Sequence, residues 1–285
     1  MLRPFREASA PPEPRATMNI TRFLTADGAV RLGCVHDDGA TTLLEGDLWG
    51  DFRDSGQPVQ PVKRLAPIVP PALYCIGLNY ARHAAEGNLP APERPVMFMK
   101  APTTVQNPDD PIVLPRRMRS DEVDYECELA VIIGRTCKNV SADDALRHVL
   151  GYTCANDVSA RDWQGKWGGS QWCRGKTFDT FAPLGPWIVT ADEIPNPNKL
   201  GIRTVLNDKV MQDWNTDDMI FSVPALIEFL SGSTTLLPGT VILTGTPHGV
   251  GAARKPPVFL QPGDRVTIEI ERIGQLSNPV IEEAC

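Results

Sequence analysis

Val123-Asp-Tyr-Glu-Cys-Glu-Leu-Ala-Val-Ile-Ile-Gly134 is the stretch whose reading decides the fold. Taken as a β-strand it alternates with period two. One face carries Val123, Tyr125, Cys127, Leu129, Val131 and Ile133, a core face. The other carries Asp124, Glu126, Glu128, Ala130 and Ile132 and turns apolar after Glu128, where a merely solvated face would stay polar. Glutamates at i and i+2 lie roughly 7 Å apart at Cα on one side of a strand. Their carboxylates can converge on one point, where like charge calls for a proton or a cation between them. A divalent ion is the simplest answer, and an idle exposed pair is the other.

The 285 residues can hold one large domain, or one with a small partner. A net charge of −7 disfavours nucleic acid and anionic membrane as partners. The one basic knot, Arg116, Arg117 and Arg119, reads as a loop rim. Seven scattered cysteines without CxxC spacing read as reduced thiols, not as a disulfide framework or a zinc site. No run of about 18 apolar residues is present to span a membrane.

Residues 1–17 are rich in proline and small residues and are expected to form a disordered tail. They lack a secretory core. A cytoplasmic location is expected, or a mitochondrial one if Arg3, Arg6 and Arg15 belong to a transit peptide. Residues 18–66 read as a small β-rich N-terminal domain, with hairpin turns at Asp27-Gly28 and Asp38-Gly39. Proline, glutamine and glycine over 51–71 mark a linker or domain edge. Residues 67–285 form the main domain.

That domain opens with a short strand, Leu73–Gly77. A two-turn helix follows, with Asn79 as expected N-cap and Gly87 as its stop. His83 and Glu86 share a face of it at i and i+3. A histidine oriented by a carboxylate is the usual form of a general base; a surface ion pair is the plainer reading. Ser141 is expected to cap a helix ending at Gly151. A strand over 152–157 then delivers Asp157. A Gly/Trp-rich run between Gln164 and Arg174 suggests a ligand-covering loop. From 186 onward strands dominate, with one helix over 222–230 capped by Ser222. Gly245-Thr-Pro-His-Gly-Val-Gly251 lacks a nucleotide-loop lysine but could offer backbone N–H groups to a carboxylate.

From Leu73 to Pro279 the chain resembles the fumarylacetoacetate hydrolase superfamily, most of all its domain-containing members and bacterial acylpyruvate hydrolases. The matching pieces are Ile76-Gly-Leu-Asn-Tyr80 with His83, Glu126-Cys-Glu128, Asn156-Asp-Val-Ser-Ala-Arg-Asp162, Gly175-Lys-Thr-Phe-Asp179 and Thr244-Gly-Thr-Pro247. The resemblance implies an α+β fold, a mixed β-sandwich roll with short helices, and a homodimer. It implies one Mg²⁺ or Mn²⁺ per subunit on Glu126, Glu128 and Asp157, since all-oxygen ligation selects these ions over zinc. His83, Glu86 and Lys176 match catalytic positions; Gln164, Arg161, Lys100 and Thr246 match substrate-binding ones.

The implied activity is hydrolysis of the C3–C4 bond of an acylpyruvate to a carboxylic acid and pyruvate. The alternatives are decarboxylation of oxaloacetate, isomerisation of unsaturated 2-oxo diacids, or a non-catalytic binding protein. Some relatives carry arginine where this chain has Leu78, which disfavours substrates whose distal carboxylate needs a cation there.

Overall fold

A computed structural model describes residues 18–169 and 171–284. The tail expected over 1–17 lies outside the described residues. Four antiparallel strands open the chain, β1 Asn19–Leu24, β2 Val30–Val35, β3 Thr41–Gly46 and β4 Phe52–Pro58, the first two turns falling at Gly28 and Gly39 as expected. The supposed linker is partly strand, because β4 pairs with β3 and Lys63–Leu65 pairs with β1.

The next elements surround the site. They are β5 Leu73–Gly77, α1 Ala81–Glu86, β6 Val96–Lys100, β7 Ile112–Leu114, β8 Cys127–Ile133, α2 Ala142–Ala145, β9 Val149–Asn156, α3 Cys173–Lys176 and β10 Ala182–Thr190. The C-terminal part adds β11 Gly201–Leu206, β12 Lys209–Asn215, α4 Val223–Ser231, β13 Val241–Leu243, β14 Arg265–Ile270 and β15 Gly274–Glu282.

A 12-stranded sheet runs β4-β3-β2-β1-β10-β9-β8-β13-β5-β6, with Lys63–Leu65 and Val105–Gln106 joining at β1 and β10. The N-terminal strands therefore continue the sheet that carries the site, through the β1–β10 pairing. A five-stranded sheet, β12-β11-β14-β15-β7, packs against it. This is the mixed, sheet-dominated fold with short helices that the sequence implied. Among the described residues no helix is long and apolar enough to cross a membrane. The six cysteines among them are free thiols.

Burial on both faces of β8 explains its sequence. Leu129, Val131 and Ile133 join the core shared with Ile202, Ile268 and Ile270 of the second sheet. Ala130 and Ile132 join a second core with Leu73, Cys75 and Leu243 on the other side. The apolar turn after Glu128 is the sign of that second core.

Three local expectations are corrected. The central stretch is not one strand: Val123–Asp124 pairs with Ser159–Ala160, and β8 begins only at Cys127. The break arises because Asp124 turns its carboxylate onto the backbone N–H groups of Gly251 and Ala252. The helix expected from Ser141 to Gly151 closes at Ala145, with a further 3-10 turn over Leu146–His148. Val149 and Leu150 are buried as the start of β9, and Gly151 lies within that strand opposite Thr190. Asn79 does not cap α1, whose N-cap is Tyr80. Its buried amide instead binds the backbone of Phe221 and Thr244, three bonds that outweigh a single cap. The helix capped by Ser222 stands as expected, with Oγ accepting from Ala225 N–H.

Candidate active site

The site forms where β8 and β9 end together. The ladder pairs Cys127 with Asn156, and one step beyond it Asp157 N–H donates to the Glu126 carbonyl at 3.0 Å. The Asn156 amide oxygen accepts Glu126 N–H at 3.0 Å. These bonds fix the backbones that bring Glu126, Glu128 and Asp157 together. Each offers an oxygen, all within 4.8 Å of one another, and each residue is buried.

Two buried lysines and the part-buried Arg161 pair with Glu126 and Asp157. Lys176 Nζ lies 2.7 Å from both Glu126 Oε2 and Asp157 Oδ2. Lys100 Nζ lies 2.6 Å from Asp157 Oδ1, and Arg161 Nη1 lies 2.7 Å from Glu126 Oε1. Lys176 reaches this point because α3 packs tightly on the preceding segment. A Cβ at Gly175 would stand 2.4 Å from Gln164 N and 2.6 Å from Ala160 O, so only glycine permits the approach.

Electrostatics then separate the acids. Burial raises the Glu126 carboxyl, but Lys176 and Arg161 outweigh it and hold the group well below the usual range. Burial also acts against the Lys176 ammonium, yet Asp157 and Glu126 raise its pKa, so it stays charged and is no base. Glu128 has no ion-pair partner among the described residues and accepts only Gly245 N–H, at 2.8 Å. Burial, Asp157 and Glu126 push its pKa well above the ordinary value. An acid left uncompensated beside two others, with oxygen donors only, fits a hard divalent cation such as Mg²⁺ or Mn²⁺.

A cavity of about 360 Å³ opens over these groups, at the small end of ligand pockets. His83, Glu86, Glu126, Glu128, Asp157, Arg161, Gln164, Lys176 and Thr246 all line it. Of the residues singled out from sequence, Lys100 alone does not. It stands 2% exposed behind Asp157, donating also to Val158 O. Its contact is with the acid, and it stands outside the cavity lining. Leu78, Leu89, Phe98, Trp172 and Val250 give the cavity an apolar side. Leu78 holds φ +54, an unusual conformation for leucine. Trp172 belongs to the loop expected to cover ligand and meets Phe98 edge-on at 5.6 Å.

His83 Nδ1 and Glu86 Oε2 stand 3.3 Å apart on α1 at the cavity. Glu86 also accepts Gly249 N–H at 3.0 and 3.1 Å. Burial raises its pKa, but the bonds from His83 and Gly249 prevail and lower it, so the carboxylate is charged. The glycine-rich 245–251 loop thus does present N–H groups to carboxylates. They are the protein's own: Glu128 at Gly245, Glu86 at Gly249 and Asp124 at Gly251. At Gly249, φ is +95 and a Cβ would sit 2.6 Å from Met211 O, so the turn needs glycine.

Sequence reasoning missed Asp124. Fully buried, it accepts four hydrogen bonds, from Tyr125 N, Gly251 N, Ala252 N and Arg161 Nε at 2.9 Å, and Arg161 Nη2 lies 2.8 Å away as an ion-pair contact. It thereby aims Arg161 at Glu126. The signal was present, since Asp124, Glu126 and Glu128 share one period-two face.

Residues 72–281 match the family model described as fumarylacetoacetate (FAA) hydrolase C-terminal. The chain belongs to this family. Over 221 residues it is 52% identical to a Xenopus laevis protein named oxaloacetate tautomerase fahd2, mitochondrial, covering 77% of this chain and 69% of that one. It is 49% identical over 225 residues to the Homo sapiens oxaloacetate tautomerase FAHD2A, mitochondrial, covering 79% and 71%. Among solved structures, a 2-hydroxyhepta-2,4-diene-1,7-dioate isomerase from Mycobacterium marinum aligns with TM-score 0.81 at 40% identity, over 94% of this chain and all of that one. The fumarylacetoacetate hydrolase of Exiguobacterium antarcticum aligns with TM-score 0.84 at 36% identity, over 93% of this chain and all of that one. For this family member, the buried acids and the cavity above them are the candidate active site.

Proposed function

We propose that this fumarylacetoacetate hydrolase family member is a tautomerase of small 2-oxo diacids, with oxaloacetate as the reference substrate. The observation that carries the reading is the His83–Glu86 pair in a cavity floored by three acids, in a chain about half identical to proteins named oxaloacetate tautomerases. The motif resemblance led with C–C bond hydrolysis; these relatives favour its isomerase alternative.

Tautomerisation moves one proton between the enol oxygen and C3 and breaks no carbon–carbon bond. With Nδ1 engaged by Glu86, His83 keeps Nε2 to take that proton and return it. The charged Glu86 stabilises the imidazolium formed midway. Lys176, held as an ammonium, donates to negative charge on substrate oxygen. Arg161 Nη1 takes the Gln164 carbonyl oxygen at 3.0 Å, leaving the Gln164 NH₂ to donate. Glu126, Glu128 and Asp157 would hold Mg²⁺ or Mn²⁺, one per subunit, which supplies a Lewis acid for the charge on the 2-oxo oxygen.

Hydrolysis keeps one specific support: the same oriented histidine suits activation of water, and a structure similar to this one is named a fumarylacetoacetate hydrolase. Mixing the Mg²⁺-loaded chain with enol-oxaloacetate and with an acylpyruvate separates the two. Faster loss of enol absorbance without pyruvate release supports the tautomerase. Pyruvate from the acylpyruvate, with enol decay at the buffer rate, would sink it. The mitochondrial location in the relatives' names, and the homodimer that the family resemblance implies, are extended to this chain on the same footing.

A further inference from the structure

Gln212 lies on β12 of the second sheet, 1% exposed and outside the cavity lining. Both ends of its amide are fully used. Oε1 accepts from Cys127 N–H at 3.0 Å and from Thr204 Oγ1 at 2.7 Å. Nε2 donates to Pro247 O at 2.8 Å and to Thr246 Oγ1 at 2.8 Å. The amide cannot be flipped, because a backbone N–H only donates and a carbonyl only accepts. The oxygen must face Cys127 and the nitrogen must face Pro247.

This orientation decides what Thr246 can do. Its hydroxyl oxygen accepts from Gln212, so its own proton goes elsewhere. Nearby Cys127 offers only sulfur, a weak acceptor. An anionic oxygen in the cavity that Thr246 lines is the stronger partner. Arg161, itself on the cavity wall, treats Gln164 the same way, so two neutral polar groups of the cavity are preset as donors.

We infer that Gln212 is a positioning residue that sets the Thr246 hydroxyl to donate to an anionic oxygen of the bound 2-oxo acid. The inference rests on the proposed reading that the cavity holds such an acid. It makes Gln212 matter to binding although it touches no ligand.

Oxalate tests this without turnover, since it offers two adjacent anionic carboxylates as a probe. Its affinity for the Mg²⁺-loaded chain is measured by calorimetry, with Mg²⁺ affinity as the control for a purely structural effect. Thr246→Val and Gln212→Met should each weaken oxalate roughly ten- to a hundredfold, the worth of one hydrogen bond to a charged group. The double variant should be no weaker than Thr246→Val, because both act on the same hydrogen bond to the ligand. Thr246→Ser should bind as the parent does, and Mg²⁺ affinity should hold throughout. Gln212→Glu, whose carboxylate takes the Thr246 proton, should weaken oxalate too, and it carries the test if Gln212→Met fails to fold. Parental oxalate affinity in the Gln212 variants, or losses that multiply in the double variant, would overturn the inference. A parent that binds no oxalate overturns it together with the 2-oxo acid reading. A parent that binds oxalate but speeds no tautomerisation overturns only the proposed activity.

Discussion

Replacing Asp124 by asparagine changes one atom of a buried side chain and sets it against four hydrogen-bond donors and an ion pair. Oδ1 faces Tyr125 N–H and Gly251 N–H; Oδ2 faces Ala252 N–H and two nitrogens of Arg161. Whichever way the amide turns, its NH₂ meets at least two N–H groups. The milder orientation strands Tyr125 and Gly251 N–H, at about 1–3 kcal/mol for each buried donor left unpaired. It also leaves the part-buried Arg161 with Glu126 as its remaining charged partner, and breaking a buried ion pair costs up to about 3–5 kcal/mol. These losses overlap, so Asp124→Asn should destabilise the fold by about 3–5 kcal/mol. That is a large part of a typical domain's total. Urea unfolding with a chelator present measures it as a lower midpoint at unchanged slope. Asp121→Asn is the matched control, an exposed partner of Arg119 at 2.9 Å that should move stability by less than about 0.5 kcal/mol. If Asp124→Asn fell within about 1 kcal/mol of the parent, the claim that Asp124 anchors Arg161 and the 251–252 turn would be wrong.

Three further outcomes are expected. Glu126→Gln should abolish tight Mn²⁺ binding in a direct titration together with turnover, and full activity after EDTA treatment would refute the metal reading. His83→Ala should lower kcat by about 10²–10⁴ while Mn²⁺ affinity stays near parental; a change in KM alone would remove its proton-transfer role. Mg²⁺ binding should release protons. Glu128 has its pKa raised in the metal-free protein, so it retains its proton above the ordinary carboxyl range of about 4.3 and must lose it to ligate. The apparent affinity should therefore climb as pH rises toward that elevated pKa, and calorimetry in buffers of different ionisation enthalpy counts the protons; no buffer dependence would contradict the assignment.

The chain's order of residues determined much of this molecule. Glu126 and Glu128 at i and i+2, Asp157 at a strand end and His83–Glu86 on one helix face are short-range patterns, and their side chains gather as the patterns require. Strand identity was legible wherever alternation or a Gly-containing turn set it, as at 19–35. What failed locally failed because a distant partner won. Asn79 gave up its cap for the backbone of Phe221 and Thr244, and Val149-Leu150-Gly151 became strand against β8 and β10. Lys100 stands outside the cavity lining, engaged by Asp157. The opening stretch shows the same division. Its alternation revealed two buried faces and a row of acids, but not the break at Tyr125-Glu126. That break depends on N–H groups of Gly251 and Ala252, more than 120 residues away. Gln212 was silent for the same reason. Its chemistry lies in which groups meet the two ends of its amide, and only the packing of one sheet on the other brings them there.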